Sequence, residues 1–167
     1  MCEPYGRLVA DPQAVFSLLS PSSHSGGANC PETADAMHDF LDGDEGRRVR
    51  SDSGIASFRF SRRTSWSRRI SNLEAAARRL RDCTHIVVRG HRGAGTQYTP
   101  EHFFVVLKFR GVVYVADAYT REFTRGVQVY LNREAPLDRM TGFEFARIYD
   151  VTVEDPLAAG ADPLLGL

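Results

Sequence analysis

Apolar positions change their spacing once along this chain. Up to about residue 81 they recur at helical intervals, and from residue 84 onward they crowd into short runs rich in Val, Ile, Phe and Tyr. Residues 11–19 read as a short helix, with Asp11 as N-cap and Pro12 at the first helical position. Residues 31–41 read as a second helix. Pro31 opens it, Glu32 and Asp35 suit the positive end of its dipole, Ala34, Met37 and Leu41 form the apolar stripe, and Gly43 stops it. Between them, 20–29 (SPSSHSGGAN) is a loop by composition. Residues 42–65 are polar and Arg-rich and read mostly as loop. Residues 67–81 predict an amphipathic helix with Ile70, Leu73, Ala77 and Leu80 on one side.

The later runs predict strands at 84–89, 102–109, 112–117 and 127–131, with another across 143–153. Helices first and strands after, joined by short turns, predict an α+β domain in which N-terminal helices pack on an antiparallel β-sheet. That domain covers 1–154, and 155–167, with its Pro and Gly, reads as a flexible tail.

A chain of 167 residues holds one domain with a sizeable core. Hydrophobic residues at 43% and charged residues at 25% are ordinary for a globular protein. No apolar run approaches the ~20 residues of a membrane span. The first residues lack the layout of a secretory signal peptide, so export is expected by a route that reads no such signal, or as part of a longer chain. The formal net charge is zero, yet Lys108 is the only lysine, and eleven arginines fall between Arg47 and Arg81 against only Asp52 and Glu74. Such a run is usually a solvated face, and it could also dock an acidic partner or a phosphate backbone. Aromatic residues are thin there (Phe58, Phe60, Trp66), which argues against a nucleic-acid partner.

The three cysteines, Cys2, Cys30 and Cys83, form no Cys-x-x-Cys pair. That argues against a zinc knuckle and a disulfide framework, and fits a reduced intracellular workplace. Cys30 directly precedes Pro31, at the mouth of the second predicted helix. Unpaired backbone N–H groups and the helix dipole there stabilise a thiolate, the reactive form of cysteine. The same N–H groups can hold an oxyanion on an attacked carbonyl. Gly26 and Gly27 before it allow another backbone to approach closely. Alone, Cys30 could equally be a buried structural residue. It needs a base.

Phe109-Arg110-Gly111-Val112 reads as a two-residue hairpin loop. Phe109 then faces Val112, Phe104 faces Asp117, and His102 and Asp117 become diagonal neighbours on one face, about 7–8 Å apart at Cα. A one-residue slip would put them on opposite faces. A carboxylate on one imidazole nitrogen fixes the tautomer and supports the imidazolium formed when the other nitrogen takes a proton. Separately, a margin histidine and a strand-ending aspartate are common structural residues; their shared face favours a functional pair. His91 is the rival base, while His38 is expected at a helix surface, His24 in a loop and His85 at a strand start. Trp66 either lines a substrate groove or caps the core.

These residues carry a family resemblance. LSPSSHSGGANCPETADAMHDFLDG, then HIVVRG, then EHFFVVLKFRGVVYVADAYT resembles the papain-fold toxins of bacteria and their glutamine-deamidase effector relatives. That family has an Asn-Cys pair opening a helix that ends near Leu-x-Gly, later a His opening a strand, then a Gly turn and a strand ending in Asp. The resemblance implies a papain-like fold, with Cys30 as nucleophile, His102 as base and Asp117 as orienter. Family members often carry a second Cys where this chain has Thr33, and a Gln where it has Ala118-Tyr119-Thr120.

The implied reaction is amide hydrolysis by a secreted effector acting in the cytosol of a target cell. It needs no cofactor and no metal. Its partners are a glutamine-bearing target protein and a cognate immunity protein. A thioester forms on Cys30, with Asn29 a candidate second oxyanion donor and Gly27 part of the same loop. Glutamine deamidation is the favoured outcome. Proteolysis, acyl transfer on the same triad, and an inactive Arg-rich binding module are the alternatives.

Overall fold

The computed structural model describes residues 2–19, 30–43 and 64–148. Three helices come first: α1 (Glu3–Ala10), α2 (Pro12–Leu19) and α3 (Cys30–Leu41). There follow β1 (Thr64–Trp66), α4 (Leu73–Arg78), β2 (Thr84–Arg92), β3 (Glu101–Phe109), β4 (Val112–Asp117), β5 (Glu122–Arg125), α5 (Val127–Asn132) and β6 (Met140–Ile148). The six strands form one sheet in the order β1-β6-β2-β3-β4-β5, every neighbouring pair antiparallel. The chain is therefore α+β with an antiparallel sheet. Among the described residues no helix is long and apolar enough to cross a membrane.

Helices cover both faces of the sheet. On one, Tyr5, Leu8, Phe16, Leu19, Met37 and Phe40 of α1–α3 pack with Val87, Val105 and Leu107. On the other, Leu73, Ala77, Tyr130 and Leu131 of α4 and α5 pack with Ile86, Val88, Phe104, Val106 and Phe145. Strands buried on both faces carry near-continuous apolar runs, which is why 104–107 (FVVL) shows no polar alternation.

The hairpin register follows the sequence reading. Phe109 faces Val112 and the pairing continues to Val105 opposite Ala116. Arg110 and Gly111 both take positive φ, 50° and 76°, as a two-residue loop of the primed type requires. Asp11 caps α2 through its side chain, which accepts from the Ala14 amide at 3.1 Å.

Four expectations are corrected. Residues 127–131 form α5, not a strand. Val127, Val129 and Leu131 alternate like a strand, but Gly126 turns the chain with φ of 92° and the buried set is Val127, Tyr130 and Leu131, at helical spacing. Residues 67–81 are helical only over α4. The amides of Ser67 and Ile70 instead donate to Phe145 and Phe143 of β6, and Asn72 starts the helix by accepting from Ala75. Residues 64–66, at the end of the predicted loop, form β1 beside β6.

The fourth concerns the cysteines. Cys2 and Cys83 are joined as a disulfide, with Cα atoms 5.3 Å apart. Sequence spacing hid the pair because 81 residues separate the two positions, which the fold brings together where α1 meets the turn before β2. Cys30 is the one cysteine left over. The predicted loop at 20–29, most of 42–65, and the tail at 155–167 lie outside the described residues.

A buried histidine–aspartate pair as the candidate active site

His102 is the second residue of β3 and Asp117 the last of β4. Continuing the observed register sets them diagonally across the ladder, and the side chains meet: His102 Nε2 lies 2.6 Å from Asp117 Oδ2. Asp117 is fully buried and His102 nearly so. A carboxylate can only accept here, so the imidazole carries its hydrogen on Nε2 and Nδ1 is the basic nitrogen.

Asp117 is held by more than the imidazole. Tyr130 of α5 donates its hydroxyl to the same Oδ2 at 2.6 Å, and the Thr120 amide donates to Oδ1 at 3.2 Å. Arg133 lies 3.6 Å from Oδ2, covers the Tyr130 ring and pairs with Glu122. Burial alone would push the Asp117 carboxyl up. The charge of His102, with the hydrogen bonds from His102, Tyr130 and Thr120, outweighs it and holds the group below its ordinary value. Burial and the neighbouring carboxylate push the Tyr130 hydroxyl well up, so it remains a donor. Tyr130, Arg133, Glu122 and Thr120 were not among the sequence candidates. The one local signal was the Tyr130–Arg133 spacing of three, which is visible only when 127–132 is read as helix.

Cys30 is the first residue of α3. In that helix's later turns, His38 Nδ1 lies 2.7 Å from His85 Nε2, and His85 pairs with Leu107 near the end of β3. From His38 back to Cys30 the helix rises about 12 Å. It lies over the face of the sheet opposite His102. His102 shares its side of the sheet with Phe104 and Tyr130, under α5, whereas α3 covers the side of Val105 and Leu107. The Cys30 side chain, Asn29 and Gly27 lie outside what is described.

Trp66 is half-buried on the α3 side. Its ring meets Phe103 edge-on at 5.9 Å, and the Arg89 guanidinium lies over it at 4.3 Å. It packs at the core margin against Phe103, on the face of the sheet opposite His102. The rival base, His91, is also on the α3 side, with Nε2 against Glu144 and Nδ1 3.8 Å from Glu101. Glu144 is shared with Arg89 at 2.7 Å. His38, expected at the surface, instead bonds His85. The chain matches no protein-family model, no curated protein and no solved structure.

Proposed function

We propose that this chain is a papain-like cysteine hydrolase of the bacterial toxin and effector kind, deamidating a glutamine side chain of a target protein. The observation that carries the reading is the buried His102–Asp117 contact, reached by a hairpin register that would have failed with a one-residue slip. An orienting carboxylate with no exposure, fixed by Tyr130 and Thr120, is more than a strand-end histidine needs for packing.

In this reading His102 Nδ1 takes the proton of the Cys30 thiol, and the thiolate attacks the amide carbonyl. The resulting oxyanion rests on backbone N–H groups at the mouth of α3, with Asn29 as candidate second donor. The His102 imidazolium, balanced by Asp117, protonates the leaving amine. For a glutamine side chain the amine leaves as ammonia. His102 then takes a proton from water, whose oxygen attacks the thioester; the product is glutamate and the thiol is restored.

One observation favours a second assignment of the base. His91 and Glu144 form an imidazole–carboxylate pair on the face that α3 covers. Their carboxylate is shared with Arg89 and less enclosed than Asp117, so the His102 pair is preferred.

The test is mass spectrometry of target-cell proteins after exposure to the wild-type chain and to Cys30→Ala. A gain of about one mass unit at one glutamine, absent with Cys30→Ala, supports deamidation. Cleaved fragments would indicate a protease, and amine incorporation an acyltransferase. Toxicity retained by a folded Cys30→Ala chain would remove the enzymatic reading.

A further inference from the structure

At the end of the sheet away from His102, three elements bring ionisable groups together. Tyr5 of α1 places its hydroxyl 2.6 Å from His85 Nδ1. On its other side, His85 Nε2 lies 2.7 Å from His38 Nδ1 of α3. His38 Nε2 lies 3.0 Å from Asp42 Oδ2, one helical turn on, and His85 Nε2 lies 4.0 Å from Asp42 Oδ1. The catalytic reading uses none of these groups.

We propose that His38, His85 and Asp42 form a binding site for one divalent transition-metal ion, with Tyr5 orienting His85 from behind. Three facts carry this. One ligand atom from each residue can be chosen so that all lie within 4.8 Å of one another. Two imidazoles and a carboxylate are a donor set suited to zinc and its neighbours, with a fourth position left for water. A metal-bound histidine characteristically gives its other N–H to an oxygen, and Tyr5 stands at that nitrogen.

Without metal, the same atoms make a hydrogen-bonded relay: Tyr5 O–H to His85 Nδ1, His85 Nε2–H to His38 Nδ1, and His38 Nε2–H to Asp42. Binding needs a shift of tautomer and a small movement of the ligands. The His85 hydrogen moves from Nε2 to Nδ1, with Tyr5 turning from donor to acceptor, so no net proton is gained or lost by the ring. His85 Nε2 is then open to the ion. Nitrogens about 2.0–2.1 Å from a tetrahedral ion stand about 3.3 Å apart, so the two rings, 2.7 Å apart at these nitrogens, separate by about 0.6 Å. The position at the edge, with Asp42 exposed, leaves a path for entry.

The test uses the full chain carrying Cys30→Ala, with the disulfide intact and metal removed by a chelator. The catalytic thiol is then absent, and the outcome does not depend on the hydrolase reading. Titration with Co²⁺ is expected to give one equivalent of binding with visible ligand-field bands, and Zn²⁺ to displace it. Asp42→Asn, a change at an exposed position, should keep the far-UV spectrum and weaken binding at least tenfold. His38→Gln should abolish binding, and Tyr5→Phe should weaken it about 10-fold or more. Absence of stoichiometric binding in the parent chain, or undiminished binding in folded Asp42→Asn, would overturn the assignment.

Discussion

Tyr130 and His102 converge on a single oxygen: each places a polar atom 2.6 Å from Oδ2 of Asp117. One comes from α5 and the other from β3, so the carboxylate ties the helix layer to the hairpin at the point where the proposed chemistry occurs. Tyr130→Phe removes one donor while keeping the ring. The stability loss should be about 1.5–3 kcal/mol, the range for a hydrogen bond to a charged group, measured as a lower denaturant midpoint with an unchanged slope.

Asp117→Asn preserves size but removes the charge and the enforced tautomer. Hydrolysis of the responsive target should fall about 10⁴-fold, as for an orienting aspartate in a serine triad. The comparison variant is Glu144→Gln, which alters the carboxylate beside His91. If His102 is the base, Glu144→Gln retains most activity. A larger loss from Glu144→Gln than from Asp117→Asn would move the base to His91.

Acid should destabilise the fold through Asp117. Its carboxyl is held below the ordinary value of 3.8 in the folded state, so the unfolded chain binds the proton more readily. The stabilisation is therefore complete above that ordinary value and is lost as pH falls toward the lower folded value. Wild type should lose denaturant stability below about pH 4 more steeply than Asp117→Asn. Parallel curves would contradict this role.

The hairpin that carries the site was legible in the sequence, because an Arg-Gly turn with apolar runs on both sides leaves one register that buries both strands. The two-sided burial of the sheet was less so. Val127-Gln-Val-Tyr-Leu alternates like a strand, and only the packing of Tyr130 and Leu131 against Phe104 and Val106 makes it a helix. The side-chain partners of Asp117 beyond His102, Tyr130 and Arg133, come from that helix and its C-cap, so misreading the element concealed them. The segment 3–10, with Pro4 and Gly6, gives little local helical signal and is held by Tyr5 and Leu8 in the core and by the bond from Cys2 to Cys83. The long-range pairs, Cys2–Cys83 and His38–His85, depend on tertiary approach, which spacing along the chain does not encode.

The disulfide makes a prediction of its own. Closing a loop of 81 residues removes denatured-state entropy worth about 4.5 kcal/mol in the chain-entropy account. Reduction, or a Cys2→Ser/Cys83→Ser double variant, should lower the melting temperature by several degrees or more. His102 and Asp117 lie far from the bridge in the sheet, so the reduced chain should retain its activity below the lowered transition.

The central claim is that Cys30 is a thiol activated by His102, and the pH dependence of its alkylation tests this most directly. With Cys2 and Cys83 paired, iodoacetamide reads Cys30 alone. Modification of the wild type is expected to be rapid and governed by an apparent pKa below about 7.5, moving toward the ordinary thiol value of about 8.5 in His102→Ala but not in His91→Ala. An ordinary or unreactive Cys30 whose profile is the same with and without the His102 imidazole would contradict it.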